Sequence, residues 1–155
     1  MKFETDFDAL CRDLSALTEG VPYVIANLAN TAALLWERME GLNWAGFYML
    51  TDGALVLGPF QGKTACIRIP LGRGVCGTAA EQGRTQLVEN VHDFPGHIAC
   101  DSASNSEIVI PLHNTAGDSV AVLDIDSPHF ARFTGADRKG LEAVAREIEK
   151  VCFAC

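Results

Sequence analysis

The order in which helical and strand-like patterns follow one another restricts the folds open to this chain. Apolar residues recur at helical spacing over 6–19 and 22–40, and again from Thr134 onward. Between them lie short apolar runs with strand character, at 44–50, 54–60, 65–69, 85–88, 107–112 and 120–125. Helices that are segregated from hairpin-linked strands are typical of an α+β fold. We expect a central, mostly antiparallel sheet flanked by N-terminal and C-terminal helices.

Residues that start and stop secondary structure support this order. Pro22 and Gly41 bracket the second helix, and Asp52-Gly53 indicates a hairpin turn. Thr134, with Asp137 three residues later, resembles a capping box that opens the last helix. Each N-terminal helix is predicted to face the core with one apolar stripe: Phe7, Leu10, Leu14 and Leu17 in the first, and Val21, Ile25, Leu28, Ala32, Leu35 and Met39 in the second.

Length and charge exclude several classes of protein. The 155 residues suit one hydrophobic core, so we predict a single domain over 1–155. The net charge of −8 disfavours a nucleic acid or an anionic membrane as partner, because both are bound mainly by Lys and Arg. No apolar run approaches the roughly 20 residues that span a bilayer. The acidic N-terminus has no signal-peptide character, and we therefore expect a cytoplasmic location.

Six cysteines in a reducing compartment are more often redox-active, metal-binding or buried than structural disulfides. Cys152 and Cys155 form a CxxC pair at a helix C-terminus, where the helix dipole opposes the thiolate. We therefore expect Cys152 to be a core residue followed by a frayed Cys155, with a role in recycling as the alternative. A zinc site normally repeats closely spaced ligand pairs, and that repeat is missing from the candidate set of Cys66, Cys76, His92, His97 and Cys100. No metal is expected.

The glycine-rich segment 72–77 matches the letters of a dinucleotide-binding motif. That motif requires a crossover helix of a dozen or more residues after it. The helix predicted here ends by Gly83, which favours glycines serving a tight turn. No cofactor is expected at this segment.

Residues suited to thiol and acid chemistry lie around the polar loop 90–106. A thiol at Cys100 beside His97 could be accessible and have a lowered pKa, although Asp101 would raise it. Glu107 begins an apolar strand, where burial raises a carboxyl pKa. Asp124 and Asp126 alternate on the last strand and share one face, so they could hold a cation or merely mark the end of the strand.

Several segments, taken together, resemble the free methionine-R-sulfoxide reductase family of GAF domains. They are WAGFY at 44–48, LGPFQG at 57–62, CIRI at 66–69, GRGVCGTA at 72–79, VHDFPGHIACD at 91–101, SNSEIV at 104–109 and LDIDS at 123–127. The resemblance covers nearly the whole chain. Cys66, Cys76 and Cys100 occupy the three cysteine positions of that family.

The resemblance implies a GAF-type fold and a thiol mechanism without a cofactor. Cys100 would attack the sulfoxide sulfur while Glu107, protonated by burial, supplies a proton to the oxygen. The sulfenic acid left on Cys100 would condense with a second thiol, from Cys66 by preference or from Cys76. Thioredoxin would then reduce the disulfide, as expected for an enzyme acting under oxidative stress.

The resemblance also implies how the free amino acid is held. The carboxylates of Asp124 and Asp126 are expected to bind the substrate ammonium. Backbone N–H groups of Ile98 and Ala99 are expected to bind its carboxylate. Trp44 and Tyr48 are expected to form aromatic walls around the methylsulfinyl group. A GAF domain that senses a small ligand without catalysis is the alternative. A homodimer is compatible with either hypothesis, and the roles of Cys152 and Cys155 stay open.

Overall fold

The computed structural model describes residues 2–98 and 102–154. Its helices are α1 (Phe7–Thr18), α2 (Val24–Arg38), α3 (Gly74–Gln82) and α4 (Gly135–Cys152), with a short 3-10 helix at Val91–Asp93. Its strands are β1 (Trp44–Thr51), β2 (Ala54–Gly62), β3 (Arg68–Pro70), β4 (Gln86–Val88), β5 (Ser106–His113) and β6 (Ser119–Ser127). None of the helices in the described ranges combines the length and apolar character that a membrane-spanning segment requires.

The strands form one sheet in the order β3-β2-β1-β6-β5-β4. Every neighbouring pair in it is antiparallel. Hairpins join β1 to β2 and β5 to β6, and the pairing of β1 with β6 brings the two hairpins together. The predicted α+β class and antiparallel sheet are confirmed.

The helix termini follow from their capping residues. Asp6 accepts a hydrogen bond from the Ala9 backbone N–H and caps α1. Thr134 and Asp137 form a complete capping box at the start of α4, as predicted. Gly83 ends α3 in the left-handed conformation, with φ of 65°, which costs glycine little.

One face of the sheet carries the larger hydrophobic core. Helices α1, α2 and α4 pack there against inward side chains of the three central strands, among them Phe47, Ile108, Ile110, Leu123 and Ile125. A smaller cluster covers the opposite face, where α3 packs against β5 and β6. Because side chains alternate along a strand, the same strands supply the large core on one face and a more polar floor on the other.

Three local expectations are corrected. The third strand is β3 rather than 65–69, because Arg68 to Pro70 are the residues that pair with β2. Leu17 and Ile25, predicted to lie on core stripes, are 46% and 75% exposed, since their helix faces extend past the packed surface. The predicted loop 90–106 contains the 3-10 helix, which the Asn90 side chain caps.

Candidate active site

A pocket opens on the sheet face that carries α3. Strands β1, β5 and β6 form its floor, and the first turn of α3 and the segments 64–65 and 97–98 form its walls. The lining residues are Trp44, Tyr48, Thr64, Ala65, Ile69, Arg73, Gly74, Val75, Cys76, His97, Ile98, Ser104, Glu107, Asp124 and Asp126.

Three carboxyl side chains meet on the floor of this pocket. Glu107 lies directly opposite Asp126 in the β5–β6 ladder, and Asp124 follows the same face of β6. Cys76 reaches down from α3, and its Sγ lies 4.0 Å from Oε1 of Glu107. Asp124 lies close enough to Glu107 and Cys76 for its charge to act on the pKa of both groups. The sheet register therefore gathers acids that are far apart in the sequence.

Burial and mutual repulsion change the acidity of this cluster. Glu107 is 7% exposed, and desolvation, followed by the charges of Asp124 and Asp126, raises its pKa well above the ordinary value. Burial also raises the pKa of Asp124, while hydrogen bonds from its neighbours oppose the rise. The pKa of the Cys76 thiol is raised by burial and then by Asp124 and Glu107. Burial and the neighbouring charges thus favour the protonated forms of Glu107, Asp124 and Cys76.

An aromatic wall stands beside the acids. Trp44 and Tyr48 share one face of β1, as predicted, with ring centroids 5.8 Å apart. Phe60 extends the stack, at 5.1 Å from Trp44. Gly46 lies between the two β1 rings, and a Cβ there would stand 2.2 Å from the Phe60 Cβ. Glycine at this position therefore lets Phe60 pack across β1.

The same aromatic residues hold the segment that contains Cys66. The Trp44 Nε1–H donates to the Lys63 carbonyl at 3.1 Å, and the Tyr48 hydroxyl donates to the Cys66 carbonyl at 2.9 Å. Burial first, and then the nearby Asp124, raise the pKa of Tyr48, so its hydroxyl remains a donor. Cys66 itself is disulfide-bonded, whereas Cys11, Cys76 and Cys152 are free.

Cys100 and Ala99, the predicted nucleophile and one predicted carboxylate contact, lie outside the described residues. The chain on either side of them is fixed near the pocket. His97 and Ile98 line it, and burial followed by the charge of His92 lowers the pKa of His97. On the far side, Ser104 accepts a hydrogen bond from the Asn43 side chain at 3.0 Å.

Most of the residues predicted from the sequence come together at this pocket. Trp44, Tyr48, Cys76, Ile98, Glu107, Asp124 and Asp126 all line it. Sequence reasoning did not identify Arg73, Thr64 and Ser104, which also line it. Each of these three lies in a segment without apolar periodicity, so only the three-dimensional packing reveals its position. Arg73 is the most informative of them, because it adds a basic residue to a lining that contains three acidic ones.

Comparisons with known proteins agree with this arrangement. A family model described as "GAF domain" matches residues 16–151. The free methionine-R-sulfoxide reductase of Escherichia coli is 57% identical over 149 residues, which are 96% of this chain and 90% of that protein. The Saccharomyces cerevisiae protein of the same name is 41% identical and aligns with 96% of this chain and 87% of its own length. The structure of Staphylococcus aureus fRMsr in complex with substrate superposes with a TM-score of 0.93 at 45% identity, covering 98% of this chain and 99% of that one.

A six-stranded antiparallel sheet with a pocket under a short helix is the architecture of a GAF domain, and the matched family model agrees. Within that class, the carboxyl cluster, the aromatic wall and the placed cysteines are more specific. With the identities to the Escherichia coli and yeast proteins, they show that the chain belongs to the free methionine-R-sulfoxide reductase family.

Proposed function

We propose that this protein reduces free L-methionine-R-sulfoxide to methionine by thiol chemistry. The observation that carries the proposal is the meeting in one pocket of a buried Glu107, whose pKa is raised, with an aromatic wall and residues 64–65, which precede Cys66. The family's substrate complex from Staphylococcus aureus, which superposes over 98% of this chain, adds support.

In the first step, the Cys100 thiolate attacks the sulfoxide sulfur and the oxygen must acquire a proton. Glu107 supplies that proton, since burial and its acidic neighbours raise its pKa and favour the acid form. Methionine leaves as a thioether and the oxygen remains on Cys100 as a sulfenic acid. One thiolate is oxidised and one sulfoxide is reduced, so the step balances without a cofactor.

Cys66 is the resolving residue that we favour for the second step. Its sulfur is disulfide-bonded, whereas the alternative, Cys76, carries a free thiol. Burial beside two acids raises the pKa of Cys76, which disfavours the thiolate that attacks a sulfenic acid. Condensation of Cys66 with the Cys100 sulfenic acid releases water and forms the disulfide. Thioredoxin then reduces it by exchange, at a segment where the neighbouring Ile67 is 74% exposed.

Selectivity for the free amino acid follows from the charges around the pocket. Asp124 and Asp126 offer carboxylates to the substrate ammonium on a floor that is poor in water. Backbone N–H groups at Ile98 and Ala99 receive the substrate carboxylate, and Trp44 and Tyr48 enclose the methylsulfinyl group. A methionine sulfoxide inside a peptide has neither terminal charge and would leave the buried Asp124 carboxylate without a cationic partner.

The test is NADPH oxidation coupled through thioredoxin reductase and thioredoxin. Separate reactions contain free methionine-R-sulfoxide, the free S epimer and an N-blocked R-sulfoxide, each repeated with Cys100→Ser. We expect turnover of the free R epimer alone and its loss in the variant. Cys11→Ser is the matched control, because Cys11 is a free thiol packed against the opposite core.

A ligand-sensing GAF domain gives a different pattern. It would bind a small molecule tightly, the binding would survive Cys100→Ser, and neither thioredoxin nor dithiothreitol would drive reduction of any epimer. That result would contradict the proposed reaction.

A further inference from the structure

We propose that Cys76, Glu107 and Asp124 form a binding site for a thiophilic divalent cation, with Zn²⁺ as the best fit. The site lies inside the described pocket, but its donor set differs from any that the sequence spacing indicates. Its occupation would exclude substrate, so the metal would act as a reversible inhibitor. Metal binding itself does not depend on the proposed reductase activity.

The donor atoms are close to a coordination geometry. One potential ligand atom from each of the three residues lies within 4.8 Å of the others. A tetrahedral Zn²⁺, with bonds of about 2.3 Å to sulfur and about 2.0 Å to oxygen, needs sulfur and oxygen about 3.5 Å apart. Cys76 Sγ and Glu107 Oε1 are already 4.0 Å apart. Small rotations of the Cys76 and Glu107 side chains can shorten this sulfur–oxygen distance by the required amount of about 0.5 Å.

A second observation points to a ligand in the same place. Asp124 is only 5% exposed, and its Oδ1 has no hydrogen-bond partner among the described residues. A buried carboxylate oxygen without a partner is unfavourable. Asp124 also lines the pocket, which places this buried oxygen next to a cavity that faces the same cluster. A cation would satisfy this oxygen and the two neighbouring donors together.

The chemistry of the donor set selects the metal. One thiolate and two carboxylates match the mixed sulfur and oxygen preference of Zn²⁺, whereas Mg²⁺ and Ca²⁺ prefer oxygen ligands alone. With three protein ligands, the fourth position would stay open to water from the pocket. Asp124 would then be shared between the metal and the proposed ammonium site, so the metal and the amino acid should compete.

The experiment uses the full-length protein with its Cys66 disulfide intact, freed of metal by a chelator. Titration with Co²⁺ should give a thiolate-to-cobalt charge-transfer band and the visible bands of a tetrahedral ion at one equivalent. Zn²⁺ should displace Co²⁺, and Mg²⁺ should not. Cys76→Ser should abolish the charge-transfer band, and Asp124→Asn should weaken Zn²⁺ binding at least roughly tenfold in Kd.

Cys11→Ser and Cys152→Ser are the matched controls, since both residues are free thiols outside the pocket. Bands that persist in Cys76→Ser but vanish in Cys152→Ser would overturn the proposal, as would the absence of stoichiometric Co²⁺ binding by the unmodified protein. Titration of the unmodified protein therefore tests the metal site even if a variant does not fold. Free methionine should raise the apparent Kd for Zn²⁺. Metal binding without this competition would overturn the inhibitory role proposed for the metal and would contradict the ammonium site.

Discussion

At the scale of single residues, the site depends on a cross-strand pair that a stable sheet would avoid. Glu107 stands directly opposite Asp126, and like charges in that relation are unfavourable. Burial adds to the cost, so the pair is tolerated only with a shared proton or a bound cation. The cross-strand pairing of Glu107 with Asp126 therefore accounts both for the proposed proton donor and for the proposed contact with the substrate ammonium.

The first prediction concerns Glu107→Gln. Burial and acidic neighbours raise the pKa of Glu107, and the side chain can donate a proton only below that pKa. The rate of sulfoxide reduction should therefore fall as the pH rises through the pKa of Glu107. Glutamine cannot donate this proton. We expect kcat to drop by about 10² to 10⁴ and the alkaline decline of the pH–rate profile to disappear. Single-turnover reduction of the free R epimer over a pH series measures both effects.

Glu37→Gln is the matched control, because Glu37 is exposed on α2. An unchanged rate and profile in Glu107→Gln would contradict the assignment of the acid.

The sequence predicted the members of the site better than their arrangement. Alternation along a strand was enough to put Trp44 with Tyr48, and Asp124 with Asp126. The contact of Cys76 with Glu107 could not be predicted, because it depends on how α3 folds back over the sheet. That Arg73 lines the pocket could not be predicted for the same reason.

At the scale of elements, α4 is fixed at its start by a buried ion pair as well as by its capping box. Asp137 accepts from the Thr134 backbone N–H at 2.9 Å and lies 3.2 Å from Arg132 Nη1. The side chains of Arg132 and Asp137 are 0% and 4% exposed. Arg132 also donates from Nε to the Glu40 carbonyl at 2.9 Å. The pair thereby connects α4 to the segment between α2 and β1.

The second prediction follows from this connection. Asp137→Ala should lower the free energy of unfolding by about 3–5 kcal/mol, because it leaves the Arg132 charge buried without its partner. Thr134→Ala, which removes one cap, should cost about 1 kcal/mol. Urea unfolding under reducing conditions measures the difference.

Arg138→Ala is the control for these variants. It breaks an exposed ion pair in the same helix and should cost at most about 1 kcal/mol. Equal losses in Asp137→Ala and Thr134→Ala would show that the ion pair adds nothing to the cap.

Helical periodicity located the helices but overstated the width of their buried faces. In α2, periodicity predicts a core position for the exposed Ile25, while Asn27 and Thr31 are 2% and 1% exposed. Both polar side chains make hydrogen bonds to nearby backbone carbonyls. Asn27 donates to the Val21 carbonyl, and Thr31 donates to the Asn27 carbonyl. A polar side chain that donates to a nearby backbone carbonyl can take a core position, which apolar spacing alone does not reveal.

At the scale of the whole molecule, the two faces of the sheet differ in what they bury. One face carries the apolar core under three helices, and the other carries buried acids in a pocket. The residues that stabilise the fold are therefore separate from those proposed for the reaction. The buried acids should lower the free energy of unfolding while they serve the proposed chemistry.

The third prediction tests this separation through pH. Glu107 and Asp124 have folded-state pKa values raised above the ordinary 4.5 and 3.8. Above those ordinary values the native state keeps protons that the unfolded chain has released, so the free energy of unfolding should fall as the pH rises. Glu107→Gln should flatten this fall and be more stable than the parent protein at pH 8 by about 0.5–2 kcal/mol.

Urea unfolding across the pH range, with Glu37→Gln in parallel, measures the effect. The prediction would be wrong if the free energy of unfolding of the parent protein rose with pH and the Glu107→Gln variant showed the same pH dependence.

The hydrogen bond from the Tyr48 hydroxyl to the Cys66 carbonyl has an evolutionary consequence. The ring that shapes the binding wall also anchors the segment that, under the proposed mechanism, is oxidised and reduced in every cycle. A descendant that widened the wall for a bulkier sulfoxide by replacing Tyr48 would release that anchor in the same mutation. Substrate range and reductive recycling are thus inherited together, and diversification of one requires compensating change in the other.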